Sequence, residues 1–100
     1  MVRMDRKVFE AVAERSGGIC ENEECGRYGN LEKHHAFGAS NRKQMEMKET
    51  VFDLCHDCHE RVDRDYAFNL KWKHRAIDNL LAIGWTKDKI MARVGKWHGG

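Results

Sequence analysis

Apolar residues recur along this chain at two different periods, and each change of period marks a change of element. Met4, Val8, Ala11 and Val12 fall at i, i+4, i+7 and i+8, one stripe of an amphipathic helix. Asp5 suits the positive end of that helix, and Ser16-Gly17-Gly18 stops it. Cys20 to Cys25 then reads as a tight polar loop, with Gly26 and Gly29-Asn30 as turn residues. The run Leu31 to Phe37 reads as a strand ended by Gly38, and Thr50 to Leu54 as a second, β-branched and alternating strand. Residues 38–49 between them form a polar connection too long for a tight hairpin turn. Cys55 to Cys58 turns the chain into a helix. From Ala67 the period is helical again: Leu70, Ile77, Leu80 and Leu81 share a face, flanked by Phe68 and Trp72. Gly84 ends this helix, and Thr86 reads as the N-cap of a last one carrying Ile90, Met91 and Val94. The class is α+β, and the apolar stripes are core.

A chain of 100 residues forms one domain, 1–100, with little core to stabilise it, so a metal or disulfide staple is expected. At 41% hydrophobic and 34% charged it reads as globular. No apolar run approaches the ~20 residues of a membrane span, and no signal-peptide pattern opens the chain. We therefore expect a cytoplasmic protein without a membrane partner, whose cysteines are metal ligands before they are disulfides. The net charge of +2 is unevenly spread. Residues 1–59 hold 9 Lys+Arg and 11 Asp+Glu, or −2, whereas residues 60–100 hold 9 and 5, or +4. The C-terminal part, with Lys71, Lys73, Arg75, Lys87 and Lys89, is the better candidate for meeting phosphates, against an ordinary solvated face.

Two constellations carry chemistry. Cys20 and Cys25 pair with Cys55 and Cys58, spacings that suit a tetrahedral zinc site of four thiolates. Such a site is closed and structural, and two disulfides are the competing reading. The other constellation is His34-His35 with His59, which directly follows the last cysteine. Neighbours on a strand face opposite ways, so one histidine of the pair can hold a metal while the other handles a proton. If Cys58 faces the zinc, His59 points ~100° away around its helix, where it and His34 could ligate one divalent cation. Asp63 follows His59 by one helical turn and is a candidate third ligand, weighed against a plain surface carboxylate.

The His34-His35 pair, the two cysteine pairs and His59 together resemble the HNH endonucleases, the ββα-metal or His-Me finger nucleases. The segment His-His-Ala-Phe-Gly-Ala-Ser-Asn-Arg is similar to small phage-type members, and the likeness runs from about Gly18 to Val62, with a fainter echo at Val94-Gly95-Lys96. It implies a ββα-metal finger core over about 18–65, carrying the zinc site, with an N-terminal helix before it and a helical extension over about 66–97. It further implies that His34 and His59 hold a catalytic divalent ion (Mg²⁺, Mn²⁺, Ni²⁺ or Zn²⁺) and that His35 is the general base. An unperturbed imidazole titrates near ~6.5, which suits that role. The family's middle asparagine braces the loop; here its position is Thr50, and Asn41 is the available substitute, or else a turn residue. Arg42 and Lys43 are candidate phosphate contacts, or a solvated loop. His56, His74 and His98 receive no role.

The expectation is a metal-dependent DNA endonuclease acting in a bacterial host cell. Its partners by resemblance alone are DNA and a phage genome-packaging terminase, and cutting both strands with one small site would favour a dimer. The alternative is a non-catalytic four-cysteine zinc module that binds DNA or protein. A third reading, a disulfide-stapled secreted protein, is opposed by the missing leader pattern.

Overall fold

The computed structural model describes residues 4–38, 45–95 and 97–98. Helix α1 spans Arg6–Ser16; the Asp5 carboxylate caps it by accepting from the Lys7 and Val8 N–H groups, and Gly17 at φ 63° closes it. Strands β1 (Leu31–His35) and β2 (Val51–Cys55) pair antiparallel, Leu31 opposite Cys55 and His35 opposite Val51. Helix α2 (His56–Arg64) leaves directly from β2, and α3 (Tyr66–Ala82) and α4 (Lys87–Val94) follow. The class is therefore α+β: a two-stranded antiparallel sheet and, among the described residues, four helices.

The expected boundaries shift for local reasons. β1 stops at His35, not Phe37, because the Gly38 N–H takes the His35 carbonyl at 2.9 Å and turns the chain over Ala36 and Phe37. β2 begins one residue late, at Val51, because the Thr50 N–H bonds the Met47 carbonyl at 3.0 Å and closes the turn before it. Asp65 both ends α2 and caps α3 by accepting from the Phe68 N–H, so one carboxylate sets the break between two helices. Thr86 caps α4 as its sequence position predicts.

β2 is the centre of the molecule: all five of its residues are buried. Trp72 of α3, wholly buried, packs its ring 5.1 Å from Phe52 and 5.8 Å, edge-on, from Phe68. The buried stripe of α3 is Phe68, Trp72, Ala76, Ile77 and Leu80, whereas Leu81, expected on that face, lies half exposed. The two aromatics read as flanking residues are the core itself.

α1 docks on this strand less by apolar burial than by charge. Val12 is its one buried residue. Arg15 forks onto both oxygens of Glu21 (2.7 and 2.9 Å) and also donates to the carbonyls of Lys48 and Val51. Asp53, buried in the middle of β2, is met by Lys33 Nζ at 2.6 Å and by the Ser16 hydroxyl at 2.5 Å. A carboxylate in that position needs such partners, because an unpaired buried charge is strongly unfavourable. No helix among the described residues is long and apolar enough to cross a membrane.

Removing the central ring tests this packing. Trp72→Ala should lower the unfolding free energy of the metal-loaded protein by about 3–5 kcal/mol, read from urea denaturation. A loss under about 1 kcal/mol would show that α3 does not carry the core.

Candidate metal centre

The loop before β1 and the end of β2 bring four sulfurs together. The Cys25 and Gly26 N–H groups both bond the Asn22 carbonyl, and Gly26 takes φ 63° so that the loop can reverse. At the other side Cys55 is the N-cap of α2, its sulfur accepting from the Cys58 N–H at 3.4 Å. The Cys20 sulfur accepts from the Cys55 N–H at 3.3 Å, and the Cys58 sulfur from the Asn22 amide at 3.4 Å. All four sulfurs lie within 4.8 Å of one another, and all four cysteines are free. Cys25 and Cys55 sulfurs are 3.7 Å apart. A tetrahedral zinc site with ~2.3 Å bonds has edges of ~3.8 Å, whereas a disulfide needs ~2.05 Å. The geometry therefore matches a four-thiolate metal site and not the disulfide alternative.

The electrostatics agree. Burial pushes the Cys58 thiol up to about 12 and raises Cys20 as well. Burial also acts against the Cys55 thiolate, but the hydrogen bond from the Cys58 N–H and those from neighbouring thiols outweigh it and bring Cys55 down. Four thiolates crowded into one place require a cation to ionise together. These cysteines are positioned to hold one metal ion, and a soft, tetrahedral dication such as structural zinc fits them.

Helix α3 grips the same loop from outside. Lys71 donates to the Asn22 side chain and to Glu23, and Arg75 pairs with Glu23 and donates to the Glu21 carbonyl. Its own backbone N–H, then Lys71 and Arg75, hold the Glu23 carboxyl down at about 2. Two of the cations singled out for phosphate contact are thus engaged with the metal loop. Of the others, Lys73 bonds the Asn69 side chain at 2.6 Å, while Lys87 and Lys89 lie over the rings of Trp97 and Trp85.

Beside this centre, β1 and α2 bring His34 and His59 together with ring centroids 5.2 Å apart at 63°. His34 stands opposite Phe52 and is 8% exposed, and its Nε2 is buried without a hydrogen-bond partner among the described residues. Burial first, then electrostatic interaction with neighbouring basic side chains, pushes this ring down to about 4, so it is neutral at physiological pH, as a metal ligand must be. His59 donates from Nδ1 to Glu32 Oε1 at 2.7 Å, which leaves its Nε2 lone pair available. The second oxygen of Glu32 accepts from His56 Nδ1 at 2.9 Å, so His56 belongs to this cluster and is not a bystander. Glu32 itself is held below the usual carboxylate range by those hydrogen bonds, His59 first. Asp63 is exposed, and its charge acts on His34 in the direction that favours protonation. Among the described residues the four cysteines are the one group of three or more ligands gathered this closely; the histidine pair contributes two.

His35 points the other way. Its Nε2 donates to Glu46 Oε1 at 2.8 Å, with both side chains mostly covered. Thr50 is buried, and its hydroxyl bonds the Met45 carbonyl and accepts from the Met47 N–H at 3.4 Å, bracing the backbone on both sides of Glu46. Asn41, Arg42 and Lys43 lie outside the described residues. Glu32 and Glu46 escaped sequence reasoning. For Glu32 a signal existed, since it shares a strand face with His34 two residues on; for Glu46, inside a long polar loop, there was none.

Comparison of the chain with protein-family models, with curated proteins and with solved structures finds no match to any of them. The reading of the site rests on its own chemistry.

Two measurements probe it. Elemental analysis and native mass spectrometry should find one zinc per chain, released only together with loss of structure, because binding closes a cluster drawn from both ends of the hairpin. A zinc-free protein with disulfides would refute this. The second concerns His34, whose folded value of about 4 lies below the ~6.5 of an exposed imidazole. Its contribution is complete above about pH 6.5 and is lost as pH falls toward 4. Between those values the parent should lose more stability than His34→Gln in parallel urea titrations, and equal slopes would mean the ring is not desolvated.

Proposed function

We propose that this chain is a metal-dependent DNA endonuclease of the HNH type, hydrolysing phosphodiester bonds. The observation that carries the reading is the convergence of His34 and His59 from β1 and α2, one with a buried Nε2 that has no partner among the described residues and the other fixed through Nδ1 by Glu32. A pure zinc module has no need for that arrangement. The succession of two antiparallel strands and a helix, with the histidines at their junction, supports the same reading.

In this reading His34 and His59 hold a divalent ion, whose chemistry is to stabilise charge on the phosphate and on the departing oxygen. His35 takes a proton from water; the water oxygen bonds to phosphorus, and the bond from phosphorus to the 3′-oxygen breaks. That oxygen leaves as a hydroxyl after gaining a proton, and the other fragment keeps a 5′-phosphate. The four cysteines hold structural zinc and take no part in the reaction. Glu32 keeps the His59 ring oriented. DNA is the substrate, and a phage packaging terminase is the partner that the small phage-type members suggest.

One observation favours the rival, a zinc module that binds without cutting: the four cysteines form a complete ligand set, while the histidine cluster supplies two ligands. Nicking of supercoiled plasmid with Mg²⁺, Mn²⁺, Ni²⁺ or Zn²⁺ separates the two. The parent should cut, and His35→Ala should keep its fold, zinc and DNA affinity while cutting about 10²-fold more slowly or worse. His59→Ala should also stop cleavage, with partial recovery in excess Mn²⁺. Cys58→Ala should lose structure first. A folded parent that binds DNA but never cuts it with any of these ions establishes the rival.

DNA affinity should fall as salt rises, and replacing Lys87 and Lys89 with Gln should flatten that slope by about one for each phosphate that is no longer neutralised. An unchanged slope would make the α4 cations a solvated face.

A further inference from the structure

We infer that Glu46 is a positioning residue for His35, fixing it as the tautomer protonated at Nε2 so that Nδ1 is the nitrogen that accepts the proton from water. The inference rests on the reading of His35 as the general base and adds to it the partner and the reacting atom.

A neutral imidazole carries its proton on one nitrogen, and the hydrogen bond made by that nitrogen selects which. A carboxylate can only accept, so the 2.8 Å contact between His35 Nε2 and Glu46 Oε1 requires the proton on Nε2. The side chains are 18% and 13% exposed, so water competes poorly for the bond.

Glu46 is itself held in place. Its Oε2 accepts from the Asp5 N–H at 3.1 Å, at the N-cap of α1, where the helix dipole favours negative charge. On either side of it, Thr50 holds the Met45 carbonyl and the Met47 N–H. The Thr50 N–H in turn bonds the Met47 carbonyl at 3.0 Å, and its carbonyl accepts from the Ala36 N–H, one residue beyond His35. Thr50 therefore ties together the two backbone segments that present the acid and the imidazole. A surface carboxylate swinging on a loop would show none of this. The arrangement supplies what a base on a strand end needs: a ring held at one angle and in one tautomer before substrate arrives.

The test reads the tautomer directly and cleavage separately, on the full-length, metal-loaded chain. Long-range ¹H–¹⁵N NMR of ¹⁵N-histidine protein, recorded at alkaline pH where imidazoles are neutral, should show His35 protonated at Nε2. In Glu46→Ala that signature should collapse to a mixture of tautomers, with kcat for plasmid nicking reduced on the order of 10-fold to 100-fold and DNA affinity unchanged. Glu46→Gln, whose amide oxygen can still accept, should retain the tautomer and most of the rate. His35 protonated at Nδ1 in a parent that cuts overturns the inference and leaves the nuclease reading standing. So does a tautomer that is indifferent to Glu46→Ala, whatever the rate. A parent with the stated tautomer that never cuts overturns the general-base reading, and the positioning role with it.

Discussion

A hairpin of two five-residue strands has too little surface to hold itself together in water. Here its open end is tied by four sulfurs drawn from the loop before β1 and from the end of β2. The placement of α2 and α3 depends on that end of the hairpin. The sulfur of Cys55 caps α2, so the direction in which α2 leaves the sheet, and with it the place of His59, is set by the same atoms that gather the metal site. Asn22, Glu23, Lys71 and Arg75 then carry the constraint out to α3.

The rest of the small core is arranged around charge to an unusual degree. Asp53 sits in the middle of the most buried strand and is neutralised by Lys33 and Ser16 from two different elements. Arg15 reaches across to Glu21 and to carbonyls at the head of β2. Partnered ions of this kind add little net stability over apolar residues, but breaking one leaves a buried charge that costs several kcal/mol. These pairs hold α1 in its register against the sheet. That register delivers the Asp5 N–H to Glu46.

His34 and His35 show how adjacent residues of one type acquire opposite characters. Strand alternation turns His34 toward the interior, where desolvation keeps it neutral. His35 is turned toward a carboxylate that dictates its tautomer. The different surroundings of the two histidines therefore need no difference in the side chains, only the pleat of the strand and what each face meets.

Much of this was legible in the chain. Helical and strand periods, the glycine stops, the acidic start of α1 at Asp5, the cap at Thr86, and the paired cysteines are local signals, and local backbone physics reproduces them in the structure. The sequence also put His34 and His35 on opposite faces, because alternation follows from the strand alone. What it left undecided depends on contacts between distant segments. Whether the cysteines pair as disulfides or gather around one ion depends on sulfur separations that only the folded loops establish. That Lys71 and Arg75 serve the metal loop, that Phe68 and Trp72 form the core, and that Glu32 and Glu46 are the partners of His59 and His35 could not be read from spacing. A carboxylate on a strand or in a loop reads as solvated until the fold buries it against an imidazole, and burial is a property of the tertiary structure.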